Sequence, residues 1–306
     1  MLKYIIKRIL YLIPVLVGIT LLIYLVLSLS PIDPVSLRLG SEYTYEQWYA
    51  MSESMGLNKP LLMRYLTYLI NIFRGDFGRS WFLGINIAQE LAHRIPYSLL
   101  LGAYANVISI VIGIPLGIIA GVRHNKPTDF ILTFFALLLA SAPGFWLGML
   151  GQIFISLNLG LLPVSGVGSL AHFTLPAIVL GGALTASNLR TTRTWLIDVI
   201  RSDYVRTARA KGANEFRVVL RHALSNSLLP VITTLGFHFA MIMGTATVIE
   251  TVFAIPGSSS FMINAVRTGD VPIVMGCIAV VALYVGIINL LIDLLYAAVD
   301  PRVKLN

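Results

Sequence analysis

Apolar residues run almost without interruption over residues 9–29, 97–121, 130–157, 173–189, 230–253 and 271–299, with the fourth stretch the shortest. At 1.5 Å per residue, about twenty residues cross a hydrocarbon core of about 30 Å, so the pattern predicts six membrane-spanning helices. Pro115, Pro176 and the run Ala142-Pro143-Gly144 fall inside these stretches. Such residues are tolerated in a membrane helix where neighbours satisfy the freed carbonyls, and the triplet predicts a break in the third span. A cleaved leader is the competing reading of the first stretch. Ser30-Pro31-Ile32-Asp33-Pro34 follows it instead of a small-residue cleavage site.

The polar segments between the spans differ in kind. Residues 31–96 carry six Lys/Arg, six Asp/Glu, Trp48, Trp81 and several tyrosines, with no run of span length, and read as a water-facing module. Within it, Leu61–Phe73 has helical spacing and Arg74-Gly75-Asp76-Phe77-Gly78-Arg79 is a turn-rich end. Residues 201–221 hold six Lys/Arg and two acids. Ser202 and Asp203 suit a helix start, Gly212 suits a left-handed stop, and Asn214 suits the cap of a second helix through Val218-Val219-Leu220. This basic island therefore reads as helix, tight turn, helix, and its charge keeps it out of the bilayer.

Composition places the chain among polytopic membrane proteins: 57% of the 306 residues are apolar, 12% are charged, and mean hydropathy is +0.83. A net charge of +8 would suggest nucleic acid in a soluble protein, but here it is topological. Placing the N-terminus in the cytoplasm puts fifteen cations in inner segments against Arg267 alone in the short outer loops. Both termini and the island are then cytoplasmic, and residues 31–96 face outward. Four segments result: residues 1–30 as tail and first span, 31–96 as the extracytoplasmic module, 97–299 as a five-helix core containing the cytoplasmic loop 190–229, and 300–306 as a cytoplasmic tail. The single cysteine, Cys277, excludes an internal disulfide and a cysteine-based metal site.

Enzymatic signatures fail. None of the six lysines precedes Ser or Thr, so there is no P-loop, and neither His-Glu-x-x-His nor Gly-x-Ser-x-Gly occurs. No cofactor or metal is expected on this chain. His222 and His238 stand alone and read as packing residues. Gly236, Ala240 and Gly244 recur every four residues and are candidates for close helix–helix contact, within the bundle or with another subunit. Asn106, Ser109, Ser141, Gln152, Asn188, Thr245, Thr247, Glu250 and Asn289 could line a path or bond between helices. Glu250 and Asp293 are the costliest polar residues to place in spans.

The island run Asp203-Tyr204-Val205-Arg206-Thr207-Ala208-Arg209-Ala210-Lys211-Gly212, with Leu220-Arg221-His222-Ala223-Leu224 and Leu228-Leu229-Pro230, resembles the coupling loop of ABC-importer permeases of the dipeptide, oligopeptide and nickel family. The resemblance extends through Gly56-Leu57-Asn58-Lys59-Pro60, Gly75-Asp76-Phe77-Gly78, Leu162-Pro163, Leu175-Pro176, Ile249-Glu250, Ile255-Pro256-Gly257 and Asp300-Pro301-Arg302. Three positions depart from it, Ile32, Ser259 and Val271, all on the outer side. The resemblance implies an all-α permease of the type I importer fold in a prokaryotic cytoplasmic membrane. It implies a second permease, two ATPase subunits that bind ATP and Mg, and an extracytoplasmic binding protein as partners. It makes Asp203, Tyr204, Arg206, Thr207, Ala208, Arg209, Ala210, Lys211 and Gly212 the ATPase-coupling residues. Asn106, Glu250, Pro256 and Gly257 become candidates for pathway or gate, and peptide is the expected cargo, with nickel or another small solute as the alternative. A self-contained secondary transporter would show inverted repeats or paired broken helices. A membrane-anchored assembly protein would carry no flux.

Overall fold

The computed structural model describes residues 2–31, 33–219 and 224–299 and divides into two compact units, one of residues up to 97 with 256–287, the other of 98–255 with 288 onward. Helices follow in the order α1 (Leu2–Ser28), α2 (Pro34–Leu39), α3 (Tyr45–Ser54), α4 (Leu61–Phe73), α5 (Ile87–Val122), α6 (Pro127–Ser141) and α7 (Gly144–Gly151). A π-helical turn, Gln152–Asn158, extends α7. Then come α8 (Leu170–Ile200), α9 (Asp203–Ala210), α10 (Glu215–Arg217), α11 (Leu224–Thr245), α12 (Thr247–Val252), α13 (Ser258–Thr268) and α14 (Val271–Val299). Among the described residues the one β feature is an isolated bridge between Arg79 and Asn86.

In the first unit, local caps fix the short helices. The carboxylate of Asp33 accepts from the Val35 amide at 3.0 Å, from the Ser36 hydroxyl at 2.5 Å and from Trp48 Nε1 at 2.8 Å, which ties α2 to α3. Burial alone would raise its pKa, but these bonds to the charged form hold it below the ordinary value. Thr44 and Gln47 close a reciprocal capping box on α3. Ile32 lies outside the described residues. The unit's core gathers Ile87 and Leu91 of α5, Phe261 and Ala265 of α13, and Ile273, Val274 and Cys277 of α14. Before α14, buried Asp270 accepts from the Ser80 hydroxyl at 2.5 Å and from the Trp81 amide at 3.3 Å, pinning residues 80–82.

In the second unit the expected third span is two arms, α6 and α7 with its π-helical turn, bent by 98° at the Ala142-Pro143 break. The sequence predicts the break; its angle is set by what α7 packs against, since both α8 and α12 contact it. The fourth span is longer than its apolar stretch. Hydrogen bonding continues through Arg190 and Arg193 to Ile200 because no glycine or proline stops it. The fifth is interrupted at Ala246, where α12 begins. Four described helices are long and apolar enough to cross a membrane, and the bent pair meets the same measure of length and apolarity only when its two arms are taken together. The remaining expected span is α11, a 22-residue apolar helix.

Candidate coupling loop and transmembrane seam

The island is built by its caps. Ser202 has extended backbone at the N-cap of α9, but its hydroxyl donates to the Val199 carbonyl at 2.6 Å and does not cap the helix. At the other end Gly212 takes φ +82°, its amide donates to the Arg209 carbonyl at 2.9 Å, and the Ala213 amide donates to the Ala208 carbonyl at 3.2 Å. This pair of bonds is a Schellman stop, and the left-handed φ is what selects glycine. Asn214 Oδ1 accepts from the Arg217 amide at 2.9 Å and opens α10, which passes into a wider turn at Val218 and Val219. Leu220 to Ala223, including His222, lie outside the described residues.

Across the turn, Arg209 Nε and Nη2 reach the Glu215 carboxylate at 2.8 and 3.2 Å. Arg209 therefore braces its own loop, and its hydrogen bonds, helped by its charge, hold the Glu215 carboxyl below the ordinary value. Arg206 lies 3.8 Å from Asp203 on an open surface. Val205, Val218 and Val219 are buried and anchor the island, whereas Tyr204 is 44% exposed. Tyr204, Thr207, Ala208, Lys211, Gly212, Ala213 and Arg217 line an open cleft of about 510 Å³. Ala210 is exposed at the end of α9. Small side chains in α9 and a charged rim leave room for a side chain from a partner.

Behind the island, α8 is locked to two other elements. Arg193 grips Asp129 in a two-pronged ion pair, Nε to Oδ1 at 2.5 Å and Nη2 to Oδ2 at 2.8 Å. Asp129 is 1% exposed and also accepts from the Asn125 amide at 3.0 Å, with His124 Nδ1 at 3.4 Å. In the sequence Arg193 is one of the fifteen inner cations; its pairing with Asp129 is long-range and has no local signal.

Further along, α5 and α8 cross with almost no side chain between them. A Cβ at Gly113 would stand 2.8 Å from the Thr185 carbonyl oxygen, and one at Gly117 would stand 2.7 Å from that of Leu189. From the other side, a Cβ at Gly181 would meet the Ala105 carbonyl oxygen at 2.8 Å. Gly113, Gly117 and Gly121 recur every four residues, a signal of the same kind as the α11 stripe and present in the sequence. In the seam Asn188 Nδ2 donates to Ser109 Oγ at 3.1 Å, Ser109 to the Asn106 carbonyl at 2.9 Å, and Asn106 Nδ2 to the Gly102 carbonyl at 3.0 Å. Oδ1 of Asn106, Oδ1 of Asn188 and Oγ1 of Thr192 are buried without a hydrogen-bond partner among the described residues.

The other candidates are dispersed. Glu250 is fully buried and accepts from the Ser98 hydroxyl at 2.6 Å, away from the water that an outer end would offer. Gly257 is the N-cap of α13, preceded by Pro256, and Ser258, Ser259 and Ser260 form its buried first turn. The α11 stripe divides: a Cβ at Gly236 would clash with Ile292 of α14 at 2.3 Å, Ala240 is half-buried, and Gly244 is exposed with nothing within 4 Å. Gln152 donates to the Val164 and Val252 carbonyls, and His238 lies buried 3.3 Å from the Ser187 hydroxyl.

Two family models cover this chain. The binding-protein-dependent transport system inner membrane component matches residues 113–305, and the N-terminal component of such membrane proteins matches residues 1–99. The oligopeptide transport system permease protein AppB of Bacillus subtilis (strain 168) is 36% identical, over 99% of this chain and all of that one. The glutathione transport system permease protein GsiC of Escherichia coli (strain K12) is 38% identical over 99% of each chain. Among solved structures, an inward-facing conformation of the MetNI methionine ABC transporter superposes with a TM-score of 0.60 at 16% identity, covering 69% of this chain and 97% of that one.

Proposed function

This chain belongs to the family of binding-protein-dependent transport system inner membrane components, and from that premise we propose that it is the permease subunit of an ATP-driven peptide importer. It works beside a second, related permease. Two ATPase subunits bind ATP and Mg and perform the hydrolysis, and a binding protein delivers the cargo. The observation that carries the reading is the island: a helix stopped by a Schellman turn at Gly212, anchored by buried valines and open to a partner along one cleft. Packed interfaces switch between discrete arrangements, so a short rigid helix seated in an ATPase can transmit a stroke. The Arg193–Asp129 pair supplies the next link by fixing α8 to the first turn of α6. Peptide cargo is supported by relatives named for oligopeptide and glutathione transport. Both termini and the island face the cytoplasm, with residues 31–96 outside, from the distribution of cations.

Reconstitution tests this. Complexes of this chain with its partner permease, ATPases and binding protein should take up labelled peptide only with ATP. Uptake by this chain alone would make it a secondary transporter, and absence of flux from the complete set would leave it an assembly protein. Cysteines at Ser41 and Ser202, in a Cys277→Ala background, should react from opposite sides of the membrane; reaction from one side would overturn the topology.

A further inference from the structure

We propose that α4 is a half-membrane helix, seated in the outer leaflet beside α1, with lipid acyl chains covering its exposed face. Only the side of the membrane rests on the orientation proposed above; cargo and coupling do not enter. The exposed arc of α4 is apolar: Leu62, Met63, Leu66, Ile70 and Phe73 are 64%, 56%, 49%, 53% and 60% exposed. Thr67 shares that arc, and its hydroxyl is returned to the Met63 carbonyl at 2.8 Å. The helix's one charged residue, Arg64, lies on the packed side, 5.7 Å from the centre of the Tyr24 ring. A helix in water carries its charges outward; this one is inverted.

Depth gives the second argument. The Tyr65 hydroxyl donates to the Val17 carbonyl at 2.7 Å and lies 3.0 Å from Thr20 Oγ1. Val17 and Thr20 bracket the middle of the apolar stretch 9–29, and Val17 is about 16 Å along the helix axis from Ser28, half the thickness of a hydrocarbon core. Tyr68 also donates to the Met275 carbonyl at 2.9 Å, one turn inside α14. A helix whose side chains bond to the middle of a membrane span lies within the membrane's thickness. On α1, which packs against α4, Ile19, Leu22, Leu25 and Val26 are also exposed.

The ends complete the case. At 13 residues, about 20 Å, α4 is too short to cross, and it is flanked by Asn58-Lys59-Pro60 and Arg74-Gly75-Asp76. Its C-terminus is closed by bonds from the Gly75 amide to the Ile72 carbonyl and from the Asp76 amide to the Asn71 carbonyl, both 2.9 Å, so few backbone groups are left for water. The segment therefore enters and leaves on one side.

The test uses the assembled transporter in liposomes, with single cysteines at Leu62, Leu66 or Ile70 in the Cys277→Ala background and retained uptake as the check on folding. An impermeant maleimide should react at least tenfold more slowly at these positions than at Glu46, which is exposed on α3. A permeant fluorophore attached there should be quenched by phospholipids spin-labelled in the acyl chain and not by iodide. Reaction as fast as at Glu46, with iodide quenching, would place the face in water. Protection without quenching by either agent would mean that protein covers it; either result overturns the proposal.

Discussion

The α5–α8 seam and the basic island lie in one compact unit yet are held by opposite means. In the seam, backbone meets backbone at Gly113, Gly117 and Gly181, and Asn188 bonds to Ser109 between the helices. In the island three valines anchor a segment whose remaining surface is open and charged. A glycine in the seam is required by space; Gly212 is required by its backbone angle, with open room around it. The seam is therefore suited to move as one body and the island to be gripped. Substitutions in the first should cost folding, and substitutions in the second should cost communication.

The largest effect is expected where a buried charge loses its partner. Arg193→Ala leaves buried Asp129 without its cation and should destabilise the subunit by about 3–5 kcal/mol, read as a fall in unfolding midpoint in detergent and in yield. Retained stability would mean that α8 is held without this pair. Gly117→Ala comes next. Its Cβ would stand 2.7 Å from both the Leu189 carbonyl oxygen and Thr192 Cβ, and the crossing has to open at about 1–3 kcal/mol. The same unfolding scan reports it, and a neutral result would dissolve the contrast with the island.

Gly212→Val should behave differently. A β-branched residue at φ +82° meets a local cost of about 1–2 kcal/mol, but the Cβ has room. The protein should insert and remain stable while losing uptake, through weaker ATPase association or hydrolysis unresponsive to substrate. Wild-type uptake at matched permease content would withdraw the island as the coupling element.

The smallest effect belongs to the Arg209–Glu215 brace. As an exposed pair it is worth no more than about 1 kcal/mol and is screened by salt. Because the folded pKa of Glu215 is depressed, the brace contributes fully above its ordinary value of 4.5 and is lost as pH falls through the lowered value. The protection of the Gly212 and Ala213 amides from hydrogen exchange, taken relative to the intrinsic rate at each pH, should therefore fall in acid and in high salt. Glu215→Gln should show the lower protection already at neutral pH; a variant indistinguishable from the parent would leave the turn held by the Schellman bonds alone.

Much of this was legible in the residues themselves. Leu61–Phe73 is read from its spacing with the same bounds that the structure shows, and the Gly212 stop and the Asn214 cap follow from residue type at the right interval. These features are local, closed within a few residues. The lipid-like face of α4 was present in the same thirteen residues, but charge balance across 31–96 concealed it. Spacing shows that a face is apolar, and only Tyr65 bonded to Val17 shows at what depth it lies.

By itself the sequence determined four apolar helices of span length, the Gly212 stop, the Asn214 cap, the basic island and the family, because hydropathy, capping and glycine's freedom at positive φ act within one turn or along one helix. Tertiary structure decided the rest. It bent the third span by 98°, paired Arg193 with Asp129, buried Glu250 against Ser98, and put Gly113 and Gly117 against α8 while leaving Gly244 open. Each of those outcomes depends on which helix lies beside which. Crossing contacts join residues tens to hundreds of positions apart, and a stripe of small residues or a lone carboxylate carries no record of its neighbour.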